Sequence, residues 1–498
     1  MSAHALFRPI VALIFVMMLA GTVAIAGETR APALELTGVL TGADHQTYVT
    51  LPFQVPEGVE RITVDFAYTG KAERTTIDLG LFDPQGFRGW SGGNKARFTI
   101  SGTDATPSYL PGAIQPGEWR LLLGVPNVRA KSQSTYVARI WFERPGDAPV
   151  ATARPLRPEA RWYRGDFHVH SGHSDGTCKS RLGAAVPCPV FRILQEAAAR
   201  GLDFVALTDH NTTSHFQAIA ELQPWFDDLL VLPGREITTF QGHANLLGPT
   251  AFVDFRLGSG GIPDFDALLD GFDAGGLVII NHPALPSGEF CMGCGWTAKT
   301  DWSRVDAIEV INGGAVAAAG GKADTGMSGL ALWESLLTRG FRITAIGGSD
   351  SHDTDRPAGA PGALGRPATV VFAQGLSQPA ILAGVKSGRA YIDVEGTGAT
   401  LTFQLEVGKR SFDMGQTLCA ARGTRVRIQV GSGATPDGII QIVSSPNLAA
   451  GRITARGPGS FDLVTDGAAG WVRANVRSAT DGRLLVVGNP VYLLAKGC

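Results

Sequence analysis

The sequence has few charged residues and no long run of charge of one sign. Of its 498 residues 18% are charged, and the formal net charge is -2. Neither a nucleic acid nor an anionic membrane surface is therefore expected as a partner, because both are recognised by concentrated positive charge. Long helical bundles and coiled coils are disfavoured by the 64 glycines and 29 prolines. The length fits about two to four domains.

Long apolar runs are missing after the N-terminus. The run Ile10–Ala20 follows Arg8 and precedes Ala24-Ile25-Ala26, which has the small-x-small form of a cleavage site. We predict that residues 1–26 are a cleaved signal peptide, that the mature protein is periplasmic or secreted, and that it keeps no membrane span. An uncleaved anchor is the alternative, although the run is slightly short for a bilayer.

Cysteine is scarce but even in number, with six residues. An even count fits an oxidising compartment. By proximity we predict the disulfides Cys178–Cys188, Cys291–Cys294 and Cys419–Cys498, one of 15 possible connectivities. Cys291-Met-Gly-Cys294 is alternatively half of a zinc site, but the sequence has no second CxxC to complete one.

Three regions follow the signal peptide. Residues 28–147 and 394–498 alternate polar and apolar residues in short runs between turn signals such as Asp83-Pro-Gln-Gly86, which predicts two all-β sandwich domains, the first with a jelly roll as its alternative. Residues 148–162 form a linker rich in proline and alanine. In residues 163–393, apolar strands alternate with helical patterns, which predicts an α/β domain with a parallel sheet.

Seven strands and three helices are predicted in the middle region, and this number of strands suggests a (β/α) barrel. The predicted strands are Gly165–His170, Phe204–Thr208, Leu230–Pro233, Ala244–Gly248, Gly276–Asn281, Ala307–Asn312 and Ile343–Gly347, and the helices are Val190–Ala199, Phe265–Phe272 and Leu330–Arg339.

Histidines are rare, yet eight of the 10 fall in the middle region, and seven of these lie beside carboxylates at or just after strand ends. His168 and His170 form an i, i+2 pair, as do Asp350 and His352, and residues so spaced on a strand share one face. The ends of parallel strands meet at one mouth of a barrel. So many ligands exceed the needs of one four-coordinate zinc ion and predict a cluster of two or three divalent ions. The predicted ligands are His168, His170, Asp175, His210, Glu236, His243, His282, Asp350 and His352.

Five motifs of this region form a set. They are His168-x-His170-x-x-x-Ser174-Asp175-Gly, Thr208-Asp-His210-Asn, Gly234-x-Glu236, Asn281-His282-Pro and Gly348-Ser-Asp350-x-His352. The set resembles the motifs of the PHP (polymerase and histidinol phosphatase) superfamily over about Tyr163 to Tyr391. Gly165-Asp166, the His173-Ser174-Asp175 ending and the preceding β domain are similar to its CehA/McbA branch of metallohydrolases.

The resemblance implies a distorted (β/α)7 barrel with a trinuclear site. It implies that His168, His170, Glu236 and Asp350 hold the first metal. Glu236 would bridge to a second metal on His243 and His282, and Asp175, His210 and His352 would hold the third. The superfamily mostly hydrolyses phosphate esters, whereas the CehA/McbA branch includes an enzyme that cleaves an aryl carbamate ester.

We therefore predict an exported metal-dependent hydrolase of a small-molecule ester. A metal-bridging hydroxide is expected as the nucleophile, and the mixed imidazole and carboxylate ligands suit zinc, manganese or iron. Glu236 and Asp350 are expected to be catalytic as well as metal-binding. His173, His215 and Arg235, with Arg366 as a weaker candidate, are candidates for leaving-group protonation or anion binding. A phosphoesterase is the first hypothesis and a carboxyl-ester or carbamate hydrolase the second. The third is a non-catalytic binding protein built on the β domains. The oligomeric state stays open.

Overall fold

The computed structural model describes residues 30–147, 154–258, 261–272, 275–289, 291–433, 438–446, 448, 453–456 and 459–495. The predicted signal peptide lies outside these residues, as does the stretch 148–153 of the predicted linker. No helix among the described residues is long and apolar enough to cross a membrane.

The N-terminal region consists of two four-stranded antiparallel sheets, ordered β1-β8-β3-β6 and β2-β7-β4-β5. Alternate residues of one strand, Trp119, Leu121 and Leu123, are fully buried in a core that both sheets share. This is the arrangement expected of a β-sandwich. Its strands are β1 (Leu34–Thr41), β2 (Thr47–Val55), β3 (Arg61–Tyr68), β4 (Thr76–Phe82), β5 (Phe87–Gly92), β6 (Arg97–Ser101), β7 (Gly117–Asn127) and β8 (Gln133–Glu143).

In the part of the middle region that the structure describes, strands mix with six short α-helices, which confirms the α/β class. The strands are β9 (Arg161–Val169), β10 (Thr177–Lys179), β11 (Ala185–Pro187), β12 (Phe204–Leu207), β13 (Leu230–Thr239), β14 (Gly242–Leu247), β15 (Leu277–Ile280), β16 (Ala307–Asn312), β17 (Thr344–Gly348), β18 (Ala368–Ala373) and β19 (Ala390–Asp393). The helices are α1 (Val190–Ala199), α2 (Phe216–Leu222), α3 (Phe265–Leu269), α4 (Gly313–Ala318), α5 (Leu330–Thr338) and α6 (Gln378–Lys386).

The three predicted helices are present. Helix α1 buries Val190, Ile193, Leu194 and Ala197, the i, i+3, i+4, i+7 stripe of an amphipathic helix. Helix α3 begins after an N-cap, Asp264, and ends at Leu269 rather than at the predicted Phe272. Its end precedes Gly271 and Phe272, which bond back to the helix carbonyls in a turn.

The strands of the middle region are ordered β17-β16-β15-β14-β13-β12-β9-β18-β19. The prediction of a parallel sheet is wrong at β14, which runs antiparallel to both β13 and β15. Only Phe240 and Gln241 separate β13 from β14, and a parallel neighbour needs a crossover of a dozen residues or more.

The sheet curls so that the end of β17 meets the end of β9. Asp350 donates its N–H to the carbonyl of His168 at 2.9 Å, and His170 donates to the carbonyl of Ser351 at 3.1 Å. These bonds lie beyond the last residue of β17, and no ladder between β17 and β9 occurs among the described strands. These few bonds do not establish that the sheet closes into a (β/α)7 barrel, and the barrel stays a prediction.

The C-terminal region is all β and continues the central sheet, because β19 pairs with β28 across the predicted boundary at residue 393. Its other sheet is ordered β21-β20-β23-β26, and Leu401 and Leu405 share a core with Tyr391 of the middle region. The strands are β20 (Thr400–Val407), β21 (Arg410–Asp413), β22 (Thr417–Cys419), β23 (Arg425–Gly433), β24 (Gly438–Ser444), β25 (Ile453–Arg456), β26 (Gly459–Val464), β27 (Gly470–Ser478), β28 (Leu484–Gly488) and β29 (Val491–Leu494).

Two of the three predicted disulfides are present, Cys178–Cys188 and Cys291–Cys294. The first links β10 to the residue that follows β11, just before α1. The predicted partner of Cys419 in the third pair, Cys498, lies outside the described residues.

Candidate metal centre

Glu236, which is fully buried on β13, stands at the centre of the histidine cluster. Five imidazoles lie within 3.5 Å of its carboxylate, and they come from four separate segments of the chain. The distances are 3.3 Å from His168 Nε2, 3.5 Å from His170 Nε2, 2.9 Å from His210 Nδ1, 3.3 Å from His243 Nδ1 and 3.2 Å from His282 Nε2.

Asp350 is the second carboxylate among the histidines. Its Oδ1 atom lies 3.3 Å from His168 Nε2, 3.2 Å from His170 Nε2 and 3.6 Å from His352 Nδ1. The backbone of Asp350 has φ 54°, and that of His282 has φ 25°. Such angles are uncommon outside glycine and typically cost about 1–3 kcal/mol each, so the fold holds these side chains in place against local strain.

Asp175 belongs to the exposed rim of the cluster, with a side chain 59% exposed. Its Oδ1 atom lies 3.4 Å from His352 Nε2 and 3.6 Å from His210 Nε2. His170, by contrast, is buried and lies 4.0 Å away through Nδ1. The site therefore runs from a buried floor around Glu236 to a solvent-facing rim at Asp175.

The structure thus brings all nine predicted ligands together, and their role as ligands stays a prediction. Three groups, each with ligand atoms within 4.8 Å of one another, are compatible with metal ions: His168, Glu236 and His282; His168, His170 and Asp350; and His170, Asp175, His210 and His352. His243 falls in a further group with His282, Cys291 and Cys294, besides its contact with Glu236.

Several ring and carboxylate atoms of the cluster are buried without a hydrogen-bond partner. They are Nε2 of His168, Nδ1 of His170, Nδ1 of His243, Nδ1 of His282 and Oε2 of Glu236. A buried polar atom left without a partner costs about 1–3 kcal/mol, and native folds rarely tolerate it. Lone pairs that converge in this way are arranged as metal ligands are.

The pKa shifts of the imidazoles follow from burial and from the two carboxylates. Burial disfavours the charged form of His210, but Glu236 outweighs it and raises the pKa to about 9. For His168, too, burial is outweighed, first by Asp350, and the pKa lies well above its usual value. His170 shows the reverse: burial and then repulsion from His352 lower its pKa to about 4.

The carboxylates respond in the opposite sense. Burial alone raises the pKa of Glu236, yet attraction to His168 and His210 holds it well below the ordinary value. The pKa of Asp350 is likewise lowered despite burial, with His168 the largest of the lowering causes. Both side chains therefore stay anionic and able to hold cations at neutral pH.

Glu309 is a residue of the candidate site that the sequence analysis missed. Its Oε1 atom lies 3.1 Å from His168 Nδ1, and its Oε2 atom accepts hydrogen bonds at 2.9 Å from the backbone of His282 and from Asn312. A Cβ atom on Gly348 would lie 2.3 Å from Glu309 Oε1, so only glycine fits there. The signal in the sequence was a carboxylate between Ile308 and Val310 within a buried strand.

The residues that flank the predicted ligands also hold the candidate site together. Asn281 donates to Glu236 Oε1 at 2.9 Å. Asn312 caps helix α4 and donates to Asp350 at 3.3 Å. Asp166 accepts backbone hydrogen bonds from His168 and Ser349, which ties β9 to the end of β17.

Arg235 and His173 make no ion pair with the cluster among the described residues. Arg235 is buried and donates to the carbonyl of Ala251 at 2.6 Å, and strand alternation directs it away from the face that carries Glu236. His173 is exposed, and its Nδ1 lies 2.8 Å from Ser214 Oγ. The predicted role of Arg235 in anion binding gains no support from this placement.

No family model matches the sequence, and no curated protein matches it. One solved structure that matches is a two-domain protein containing a predicted PHP-like metal-dependent phosphoesterase from Bacteroides vulgatus ATCC 8482. It is 18% identical, and the match covers 69% of this chain and 100% of that chain with a TM-score of 0.34. At this score the likeness supports neither the fold nor the function, which rest on the geometry above.

Proposed function

We propose that this protein is an exported metal-dependent hydrolase of ester bonds, with a phosphoesterase as the first candidate. The observation that supports it best is the set of five buried imidazole and carboxylate atoms that converge without hydrogen-bond partners. A purely structural cluster would pair these atoms, because leaving them unpaired destabilises the fold. The motifs shared with the PHP superfamily and its CehA/McbA branch point to the same chemistry.

The donor set fits two or three divalent ions. Imidazole and carboxylate ligands together favour zinc, manganese or iron over calcium and magnesium. His168 and His170 each belong to two of the three groups, so the groups overlap, and each imidazole would hold only one ion. Glu236 has two carboxylate oxygens close to five imidazoles and would be able to hold more than one ion. Bound ions of this kind acidify water and polarise an ester oxygen.

Neighbouring residues hold the predicted ligands in position, and the rim of the cluster remains accessible to solvent. Glu309 orients His168 through Nδ1, and Asn281 holds the carboxylate of Glu236. Asp175 and His352 lie at the rim, where a substrate would enter. His173, exposed two residues before Asp175, stays the candidate for protonating the leaving group.

A carboxyl-ester or carbamate hydrolase is the second candidate, and a specific observation favours it. Phosphate sites usually recruit arginine or lysine. Every ion pair within the described cluster joins a histidine to a carboxylate, and neither an arginine nor a lysine takes part. Phe240 and Met292 are 94% and 74% exposed, and the Met292 carbonyl lies 3.2 Å from His243, which suits an apolar group on the substrate.

Metal analysis combined with a substrate panel tests the proposal. The purified protein should contain about two or three zinc, manganese or iron ions per chain and should cleave one class among aryl phosphates, phosphodiesters, carboxyl esters and carbamates. Chelation should abolish that activity. His45→Ala replaces an exposed histidine of the N-terminal region. It is the matched control for variants of the cluster histidines and should keep the metal content and activity of wild type. A metal-free preparation that retains every activity would favour the binding-protein hypothesis instead.

Export is part of the proposal, and the two disulfides support it because such bonds persist in oxidising compartments. The N-terminal sequence of the mature protein, isolated from the cells that make it, tests this point. We expect it to begin at Gly27. A mature chain that still begins at Met1 would contradict cleavage of a signal peptide.

A further inference from the structure

Two cysteines lie beside the histidines on the floor of the candidate metal centre. His243, His282, Cys291 and Cys294 each place one ligand atom within 4.8 Å of the others. Cys291 and Cys294 form a disulfide with a Cα–Cα distance of 5.5 Å. Both histidines and Cys294 are buried, while Cys291 is partly exposed. Reductant from solvent therefore has a route to this disulfide through Cys291.

The loop that carries the cysteines is held tightly against the site. The carbonyl of Met292, between the two cysteines, lies 3.2 Å from His243 Nε2, and the other ring nitrogen faces Glu236 at 3.3 Å. A Cβ atom on Gly293 would lie 2.1 Å from the carbonyl of Thr239, so the loop packs directly on the end of β13. His243 thus lies between the carboxylate centre and the cysteine loop.

We propose that these four residues form a redox-controlled zinc site. In the oxidised protein the disulfide leaves both imidazoles to the Glu236 centre. A dithiol reduces the bond by exchange: its two thiols become a disulfide, and Cys291 and Cys294 take up the two protons and two electrons as thiols. Zinc then binds as both thiols release their protons to solvent, which gives a Cys2His2 ligand set.

The geometry and the donor chemistry fit this site. Zinc bonds of about 2.3 Å to sulfur and about 2.0–2.1 Å to nitrogen put tetrahedral ligands about 3.3–3.8 Å apart, so the present separations need only small shifts. Opening the disulfide releases the sulfurs from their bonded distance of about 2.05 Å and lets them separate. The Nδ1 atom of His282 is buried without a hydrogen-bond partner, and the other ring nitrogen is the one that contacts Glu236, so Nδ1 is free to bind a cation. His243 presents Nε2 to the cysteine loop, where it contacts the carbonyl of Met292. Soft thiolate ligands select zinc over manganese.

The site has a consequence for regulation that rests on the proposed function. His243 and His282 contact Glu236 as well, so zinc drawn to the cysteines would compete with the Glu236 centre for both imidazoles. Reduction should then lower hydrolysis when metal is limiting. The zinc site itself does not require the Glu236 centre to be catalytic.

Cobalt titration of the metal-stripped full-length protein tests the site, since Co²⁺ replaces zinc and its bonds to thiolate absorb in the near ultraviolet. After treatment with dithiothreitol and its removal under nitrogen, wild type should show this thiolate absorption, which the oxidised protein should lack. Cys291→Ser/Cys294→Ser should lose the absorption. The matched control, Cys178→Ser/Cys188→Ser, removes the other disulfide and should keep it.

Reduced wild type without thiolate absorption would overturn the inference, as would absorption that persists in Cys291→Ser/Cys294→Ser. If the double variant fails to fold, reduced wild type alkylated with iodoacetamide replaces it and should lose the absorption. These readouts are independent of hydrolysis. A protein that shows the absorption but cleaves no ester would keep the zinc site and refute the proposed hydrolase.

Discussion

Buried charges in the N-terminal sandwich and in the central cluster have different surroundings. Arg88 and Asp83 are buried together at 2.8 Å, and Arg88 also donates to the carbonyls of Leu110, Gly112 and Ala113. Asp83 accepts two backbone hydrogen bonds besides. The floor of the central cluster is as deeply buried, yet atoms of five of its side chains lack partners. Complete pairing is typical of a structural charge, whereas unpaired atoms of five side chains around one point are typical of a site that holds a ligand.

The largest effect is expected where the unpaired cluster is broken at its floor. His168→Ala or Asp350→Ala should remove bound metal and reduce hydrolysis by more than about 100-fold, beyond what loss of an orienting residue usually costs. The fold should remain, because Nε2 of His168 makes no hydrogen bond and the contacts of Asp350 are confined to the cluster and Asn312. Metal content, initial rates and circular dichroism measure these effects. Full activity in either variant would contradict the assignment.

The opposite pattern is expected in the sandwich. Arg88→Met keeps most of the volume but leaves Asp83 buried without its cation, which typically costs about 3–5 kcal/mol of unfolding free energy. Denaturant unfolding measures the loss. Metal content and activity of the folded fraction should stay at the level of wild type. A variant of normal stability, or one that loses metal while folded, would erase the distinction between the two regions.

Much of the candidate site was predictable because the predicted ligands follow a simple rule. His168, His210, His282 and Asp350 follow or end apolar strands, and the ends of neighbouring strands lie together whatever their loops do. The antiparallel strand β14 was not foreseen. Its apolar residues resemble those of a parallel buried strand, and only the two-residue connection reveals its direction.

Contacts that depend on the path of a loop, or on one residue within a strand, were not predictable. Glu309 lies in an apolar strand whose pattern gives no partner, and its contact with His168 joins residues 141 positions apart. The cysteine loop could be recognised as a disulfide or as half a zinc site. Its approach to His243 depends on how the loop packs on β13, which composition does not encode.

A smaller effect should follow from changing an orienting residue. Glu309→Gln keeps the shape but removes the charge beside His168 Nδ1, and changes of this kind usually weaken metal affinity about 10–100-fold. Competition with a chelator measures the affinity. Glu35→Gln, at a half-exposed glutamate paired with Arg139, is the matched control and should bind metal as wild type does. Equal affinity in Glu309→Gln and wild type would make Glu309 a structural residue only.

The smallest expected effect is on the pH dependence of the metal-free protein. The pKa of His210 is raised to about 9, so its charge stabilises the fold fully below the unfolded value near 6.5, and this contribution is lost as the pH rises through 9. We expect a loss of about 1–3 kcal/mol over this range. Thermal unfolding from pH 6 to 10 measures it, and His210→Asn should flatten the curve.

Metal should reverse this trend, because ligands bind cations in their deprotonated form and affinity rises with pH. Arg88→Met serves as the control for the comparison between regions. Arg88 makes its contacts within the N-terminal sandwich and none with an imidazole of the cluster among the described residues, so its curve should run parallel to that of wild type at lower stability, with and without metal. If His210→Asn kept the wild-type slope, or if Arg88→Met changed it, the pH dependence would belong to the fold in general and not to the unpaired cluster.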